Sequence, residues 1–154
     1  MDNNKMGFVF PKPKNLETGK GILVIGESGL CKCQIYMASK PSLTEEESLN
    51  LLAGKISDRI GVRPDIGGEY SEDLVNICLK REDTILNGNT NEEGYIIEIN
   101  EKGILLRSST DKGLFNSVHT LVQLLDFQGN KLTVPFCKIE DWPDMKYRGL
   151  FIED

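Results

Sequence analysis

One histidine, His119, and one tryptophan, Trp142, are all that the 154-residue sequence holds of either type. The shortage of histidine excludes most of the chemistry open to a small hydrolase. A serine or cysteine nucleophile needs a base within hydrogen-bond reach. His119 lies inside a helical apolar pattern, two positions before Leu121, where an imidazole packs or meets solvent more readily than it catalyses. Its spacing from the cysteines fits no zinc pattern, which calls for paired cysteines or further histidines. The four cysteines, Cys31, Cys33, Cys78 and Cys137, contain one C-x-C pair, which shares a face if that stretch is a strand. Free, mostly buried thiols are the expectation, with no metal and no cofactor.

Long apolar runs are missing too. None approaches the ~20 residues that a membrane-spanning helix needs, so no membrane partner is expected. The opening MDNNKMGFVFPKPK has no apolar segment of signal-peptide length, which favours a cytoplasmic location. There is no basic stripe either. The net charge is −6, and phosphate backbones are bound by clustered Lys and Arg, so nucleic acid is not an expected partner.

What the sequence does hold is the material of one α+β domain. Ile22-Leu23-Val24-Ile25 is a short run bounded by glycines and reads as a buried strand. A second strand is expected from Cys31 to Ala38. Thr44 and Glu47 match a capping box at the head of a helix, in which each side chain satisfies the other's backbone amide. Leu49, Leu52, Ala53, Ile56 and Ile60 then recur at helical spacing. Gly61 supplies the stop, with Pro64 close behind.

Leu74 to Leu79 reads as another strand, and Asn87-Gly88-Asn89 as a loop. Tyr95 to Ile99 and Ile104 to Arg107 flank Asn100-Glu101-Lys102-Gly103, a hairpin with Gly103 at the positive-φ position. Asp111 is a natural N-cap for a second helix, whose apolar face is Leu114, Val118, Leu121, Val122 and Leu125, widened by Phe115. Leu132-Thr133-Val134 extends, and Pro135 points to an edge strand. Together these elements predict a single sheet of about four to six strands with two helices packed on one face.

Three further stretches invite a chemical interpretation and fail it. Gly26-Glu27-Ser28-Gly29 follows a strand, but it lacks the lysine and spacing of a phosphate loop and places a carboxylate where the phosphate would sit. Glu45-Glu46-Glu47 is an acidic first turn that complements the helix dipole. The neighbours Glu140 and Asp141 point to opposite faces of a strand, so they cannot converge on one glycosidic bond.

The segment EEGYIIEINEKGILLRSSTDKGLFNSVHTLVQLL, a hairpin followed by a helix, and the closing VPFCKIEDWPDMKYRGLFIED carry a resemblance. With Ile139-x-Asp141-x-Pro143, Met145 and Tyr147-Arg148-Gly149-Leu150, they resemble the small N-terminal domain of glycoside hydrolase family 20 β-N-acetylhexosaminidases and its junction with the catalytic barrel. Similar domains precede the barrels of family 84 O-GlcNAcases and family 67 α-glucuronidases. Residues 90–154 carry most of the likeness; residues 22–80 share only the order of elements. The resemblance implies a non-catalytic accessory domain over residues 21–140, a leader over 1–20, and over 141–154 a linker and the first strand of a (β/α)8 barrel absent from the sequence.

In that family an Asp-Glu pair in the barrel performs substrate-assisted hydrolysis. The glutamate is the general acid, and the aspartate orients the substrate's acetamido group. The implied partners are therefore the barrel and a carbohydrate with a terminal N-acetylhexosamine. The one implied substrate-binding residue is Arg148 of the Arg-Gly motif, whose fixed donors suit two sugar hydroxyls. Glu153 stands where family 20 carries an aspartate. Family 84 expects its glutamate one position earlier, at Ile152. A free-standing carbohydrate-binding or interaction module is the alternative.

Overall fold

The structure, a computed structural model, describes residues 13–83 and 93–142. The Asn87–Asn89 loop and everything from Pro143 onward, Arg148 included, lie outside the described residues. Among the described residues, nine strands and two helices form in the order β1 (Asn15–Glu27), β2 (Leu30–Cys31), β3 (Cys33–Met37), α1 (Leu43–Ile60), β4 (Asp65–Gly67), β5 (Val75–Arg81), β6 (Tyr95–Asn100), β7 (Gly103–Ser108), α2 (Asp111–Leu124), β8 (Asp126–Gln128) and β9 (Lys131–Asp141).

The strands make one mixed sheet in the order β2-β1-β9-β6-β7-β5-β3-β4, with β8 added beside β9. This is the expected α+β class with more strands than the four to six anticipated. The surplus has a physical source. β2, β4 and β8 are two or three residues long, too short for any periodicity to show. β1 begins at Asn15 rather than near Ile22, and its polar start forms because Asn15 to Thr18 find a ready-made partner in residues 137–140 of β9.

Alternation along the strands fixes the helix-bearing face. In β7, Ile104, Leu106 and Ser108 are buried, whereas Leu105 and Arg107 are only half-buried. In β6, Tyr95, Ile97 and Ile99 join the same core, as do Ile77 and Leu79 of β5 and Cys33, Ile35 and Met37 of β3. The helices contribute Leu49, Leu52, Ala53, Ile56 and Ile60 from α1, and Leu114, Val118, Leu121 and Leu124 from α2. The α1 stripe is the one that the helical periodicity predicts; in α2, Leu124 joins Leu114, Val118 and Leu121, while Val122 is only partly buried and Leu125 enters the core from the C-cap. One cluster therefore fills the space between one sheet face and both helices.

The two helix starts differ from expectation by one or two residues. Ser42 caps α1, its Oγ accepting the Glu45 amide at 3.1 Å while Glu45 Oε1 accepts the Ser42 amide at 2.8 Å. Both Ser42-x-x-Glu45 and Thr44-x-x-Glu47 satisfy the motif. The earlier pair wins because it also carries Glu45, with 0% exposure, into an ion pair with Arg81 Nη1 at 2.7 Å. Thr110 caps α2, accepting the Gly113 amide at 3.0 Å. That leaves Asp111 in the first turn, where its Oδ2 accepts the Ser42 hydroxyl at 3.1 Å and joins the two helix starts.

Pro135 does not mark an edge. β9 lies between β1 on one side and β6 with β8 on the other. The proline is tolerated because it falls at a changeover: β8 pairs with β9 up to Thr133, and β6 takes over from Cys137. On the other side, the β1 register shifts between Thr18 and Ile22, next to Pro135's own partner Ile22. Gly61 ends α1 at φ 81° and Gly103 turns the β6–β7 hairpin at φ 139°, both in the left-handed region that glycine alone enters freely.

Two helical glycines should respond oppositely to alanine. A Cβ on Gly113 would overlap Ser108 Oγ and press on the Gly94 carbonyl, whereas a Cβ on Gly54 would find its nearest neighbour, Arg63 Nη1, at 4.0 Å. Gly113→Ala should lower stability by about 1–3 kcal/mol as an overpacked site. Gly54→Ala should raise it by roughly 0.5–1 kcal/mol through helix propensity. Urea unfolding of both variants measures the difference, and a neutral Gly113→Ala would contradict the packing described.

Candidate functional site

Polar side chains from three separate elements and the backbone of Lys14 converge at the end of β9. Cys137 and Ile139 face the core, so the pleat aims Asp141 the same way. Tyr95 lies directly across from it in β6. The Tyr95 hydroxyl donates to Asp141 Oδ2 at 3.4 Å and shares a 2.5 Å hydrogen bond with Thr120 Oγ1 of α2. The other carboxylate oxygen, Oδ1, accepts the backbone amide of Lys14 at 3.2 Å. One side chain therefore ties the incoming chain at Lys14, strand β6 and helix α2 to the point where β9 ends. Burial pushes Tyr95 up to about 12. Burial also raises Asp141 above the ordinary 3.8, opposed by hydrogen bonds from Lys14, Trp142 and Tyr95.

Glu140 projects to the other face, as its position in the strand requires. It accepts Asn15 Nδ2 at 3.1 Å and lies 3.7 Å from Lys138 Nζ. The Glu140–Asp141 pair is thus divided between two faces and occupied on both. The open sheet face carries a second charged array, in which Arg107 reaches Glu82 at 3.2 Å and Glu98 at 3.1 Å, and Lys80 reaches Glu82 at 3.2 Å. The Arg107 and then the Lys80 hydrogen bonds hold Glu82 below its usual value.

The remaining sequence candidates are brought into no common site. His119 is exposed on α2, its ring edge-on to Phe115 with centroids 4.6 Å apart. The turn at Gly26–Gly29 has its amides engaged: Ser28 donates to Asn130 O at 3.0 Å and Gly29 to Ile60 O at 2.8 Å, while Glu27 pairs with Lys32 at 3.2 Å. Those amides are not free to cradle a phosphate. All four cysteines are free thiols; Cys33 and Cys137 are buried, Cys31 and Cys78 half-buried. Arg148, the implied sugar-binding residue, lies outside the described residues.

Sequence reasoning named Asp141 but missed Tyr95, Thr120 and Lys14 as its partners. A signal for Tyr95 was present. It is in phase with Ile97 and Ile99, so it points inward, and a buried phenol needs a hydrogen-bond partner. Thr120 and Lys14 gave none, because nothing local shows which strand will lie beside them.

Solved structures share this fold. Residues covering 93% of the chain superpose on 28% of the β-N-acetylhexosaminidase from Streptomyces coelicolor A3(2), with a TM-score of 0.72 and 23% identity. The Flavobacterium johnsoniae chitobiase matches 94% of the chain over 22% of its own, with a TM-score of 0.70 and 18% identity. At these identities the likeness is one of fold. The sequence profile of glycosyl hydrolase family 20, domain 2, matches residues 7–142, and the chain belongs to that family. The curated relatives include a β-hexosaminidase of Vibrio furnissii, 37% identical over 67 residues, and one of Porphyromonas gingivalis, 30% identical over 112. The matches cover 44% and 67% of this chain but only 11% and 14% of those proteins.

The raised Asp141 gives a pH signature. Its folded state holds a proton more tightly than the unfolded state. The associated stability is fully present below 3.8 and lost as pH rises through the raised value. Asp141→Asn cannot ionise, so wild type should lose stability relative to this variant between pH 3.8 and neutrality. Paired urea titrations across that range test it. A gap between the two proteins that stays constant with pH would contradict the burial described.

Proposed function

We propose that this chain is the non-catalytic accessory domain of a β-N-acetylhexosaminidase, whose barrel removes terminal N-acetylhexosamine residues by substrate-assisted hydrolysis. The observation that carries the proposal is the agreement between the family match, which ends at residue 142, and the hydrogen-bonded anchor at Asp141. The domain fastens its own exit point at the place where its family's small domain gives way to the barrel.

In this account the domain's task is mechanical. Asp141, Tyr95 and Thr120 set the direction in which the chain leaves the sheet, and a proline follows at 143, a residue type whose ring restricts its backbone. The likeness of Tyr147-Arg148-Gly149-Leu150 to the family's Arg-Gly motif assigns to Arg148 contact with the hydroxyls of the terminal sugar. A guanidinium is suited to this because its donors are held in a rigid plane. The reacting groups belong to the barrel. The described residues agree with that division, since the Glu140–Asp141 pair is split across a strand and His119 packs edge-on against Phe115 on a helix surface.

Two expected outcomes follow. The 154-residue chain, purified alone, should leave p-nitrophenyl N-acetyl-β-D-glucosaminide intact, and turnover that co-purifies with it would refute the division of labour. In the full-length enzyme, Arg148→Ala should lower kcat/KM by roughly 10- to 100-fold, the scale of one charged hydrogen-bonding contact. Its circular dichroism and thermal midpoint should stay at wild-type values. Unchanged kinetics would remove Arg148 from the sugar site.

A further inference from the structure

The chain changes partners at Lys32, between β2 and β3. The Lys32 amide donates to Ile25 O of β1 at 3.1 Å, while the Lys32 carbonyl accepts the Val75 amide of β5 at 2.9 Å. This one residue is bonded to two strands that stand far apart in the strand order. The extended run is broken there, and the break brings the flanking side chains together. Cys31 Sγ and Cys33 Sγ lie 3.7 Å apart, within hydrogen-bonding distance. A disulfide is about 2.05 Å long, so closure needs each sulfur to move by less than about 1 Å.

The two thiols are not equivalent. Cys33 is 2% exposed and belongs to the core, whereas Cys31 is half-buried at its margin. The hydrogen bond from Cys33 pulls Cys31 down to about 6, against burial and the nearby Asp65 carboxylate. The same pairing, together with burial, pushes Cys33 upward. A reachable thiol that ionises easily beside a sheltered one is the arrangement that disulfide exchange requires.

We propose that Cys31 and Cys33 form a redox-active dithiol, which closes to an intramolecular disulfide on meeting a small disulfide oxidant such as oxidised glutathione. The Cys31 thiolate attacks one oxidant sulfur. The oxidant's S–S bond breaks, and its other sulfur departs as a thiolate that takes a proton from water. Cys33 then releases its proton to solvent, and its sulfur attacks Cys31 Sγ in the mixed disulfide, expelling the second small thiol. The protein loses two electrons and two protons, and the oxidant gains both. This site is independent of the glycosidase proposal, and its test does not involve hydrolysis.

The experiment equilibrates the whole protein in glutathione buffers of increasing oxidised fraction, quenches with acid, alkylates the remaining thiols and maps peptides by mass spectrometry. The expected result is that Cys31 and Cys33 lose alkylation together, at a lower oxidised fraction than Cys78 or Cys137, and that their shared peptide is lighter by one H2. Cys33→Ser should trap glutathione on Cys31. Cys31→Ser should leave Cys33 free of adduct, because that thiol is buried. The proposal is overturned if both cysteines stay alkylatable throughout, if wild-type Cys31 stops at the glutathione adduct, or if Cys78 oxidises at the same fraction. The wild-type measurement decides alone should a serine variant fail to fold.

Discussion

Strand β9 is the piece on which the rest of the sheet depends. It is the last strand to leave the ribosome among those described, yet it lies in the interior of the sheet, pairing β1 on one side and β6 and β8 on the other. Apart from β9, the backbone hydrogen bonds that tie β1 toward β5 among the described residues run through Lys32. β2 and β3 stand six places apart in the strand order, a distance of roughly 29 Å in a flat sheet at about 4.8 Å per strand. A single residue separates them in sequence. The sheet must therefore bend strongly until β1 and β5 meet at that residue, and β9 holds the bent half against the core through Leu132, Val134 and Ile139.

The same strand carries the domain's structural centre to its edge. Because the pleat alternates, Asp141 inherits the inward direction of Ile139 and arrives beside Tyr95 and Thr120. Burying a carboxylate is costly unless its oxygens are hydrogen-bonded; here the Lys14 amide and the Tyr95 hydroxyl offset part of that cost, and burial still raises the carboxyl above its ordinary value. The polar contact does what an apolar one could not, since hydrogen bonds fix direction as well as proximity. The Cys31–Cys33 pair sits at the other stress point of the fold, the bend at Lys32.

The parts of the fold legible in the sequence were those governed by local periodicity. The stripe from Leu49 to Ile60, the stripe through Leu114, Val118 and Leu121, the Gly103 hairpin and the Gly61 stop all appear where the spacing puts them. What was illegible depended on partners distant in sequence. Asn15 to Thr18 look like polar coil, and only β9 makes them a strand. Ser42 and Thr44 are equal as caps until Arg81 takes Glu45. Pro135 reads as an edge residue because its sequence cannot show that β8 ends and β6 begins on either side of it. At the end of β9, Asp141 was legible through the Ile139-x-Asp141-x-Pro143 pattern, while the partners around it, drawn from residues 14, 95 and 120, were not.

The dependence of the sheet on β9 can be measured directly by native-state hydrogen exchange on the intact protein. Amides that open only with the whole domain share its global unfolding free energy, whereas peripheral elements exchange earlier as separate units. If β9 joins the two halves, its hydrogen-bonded amides between Leu132 and Ile139 should exchange with the same denaturant dependence as those of β6 and β7. An earlier, independent opening of β1 together with β9, while β6 and β7 remain protected, would show that β9 is an attachment to the sheet and would contradict the account.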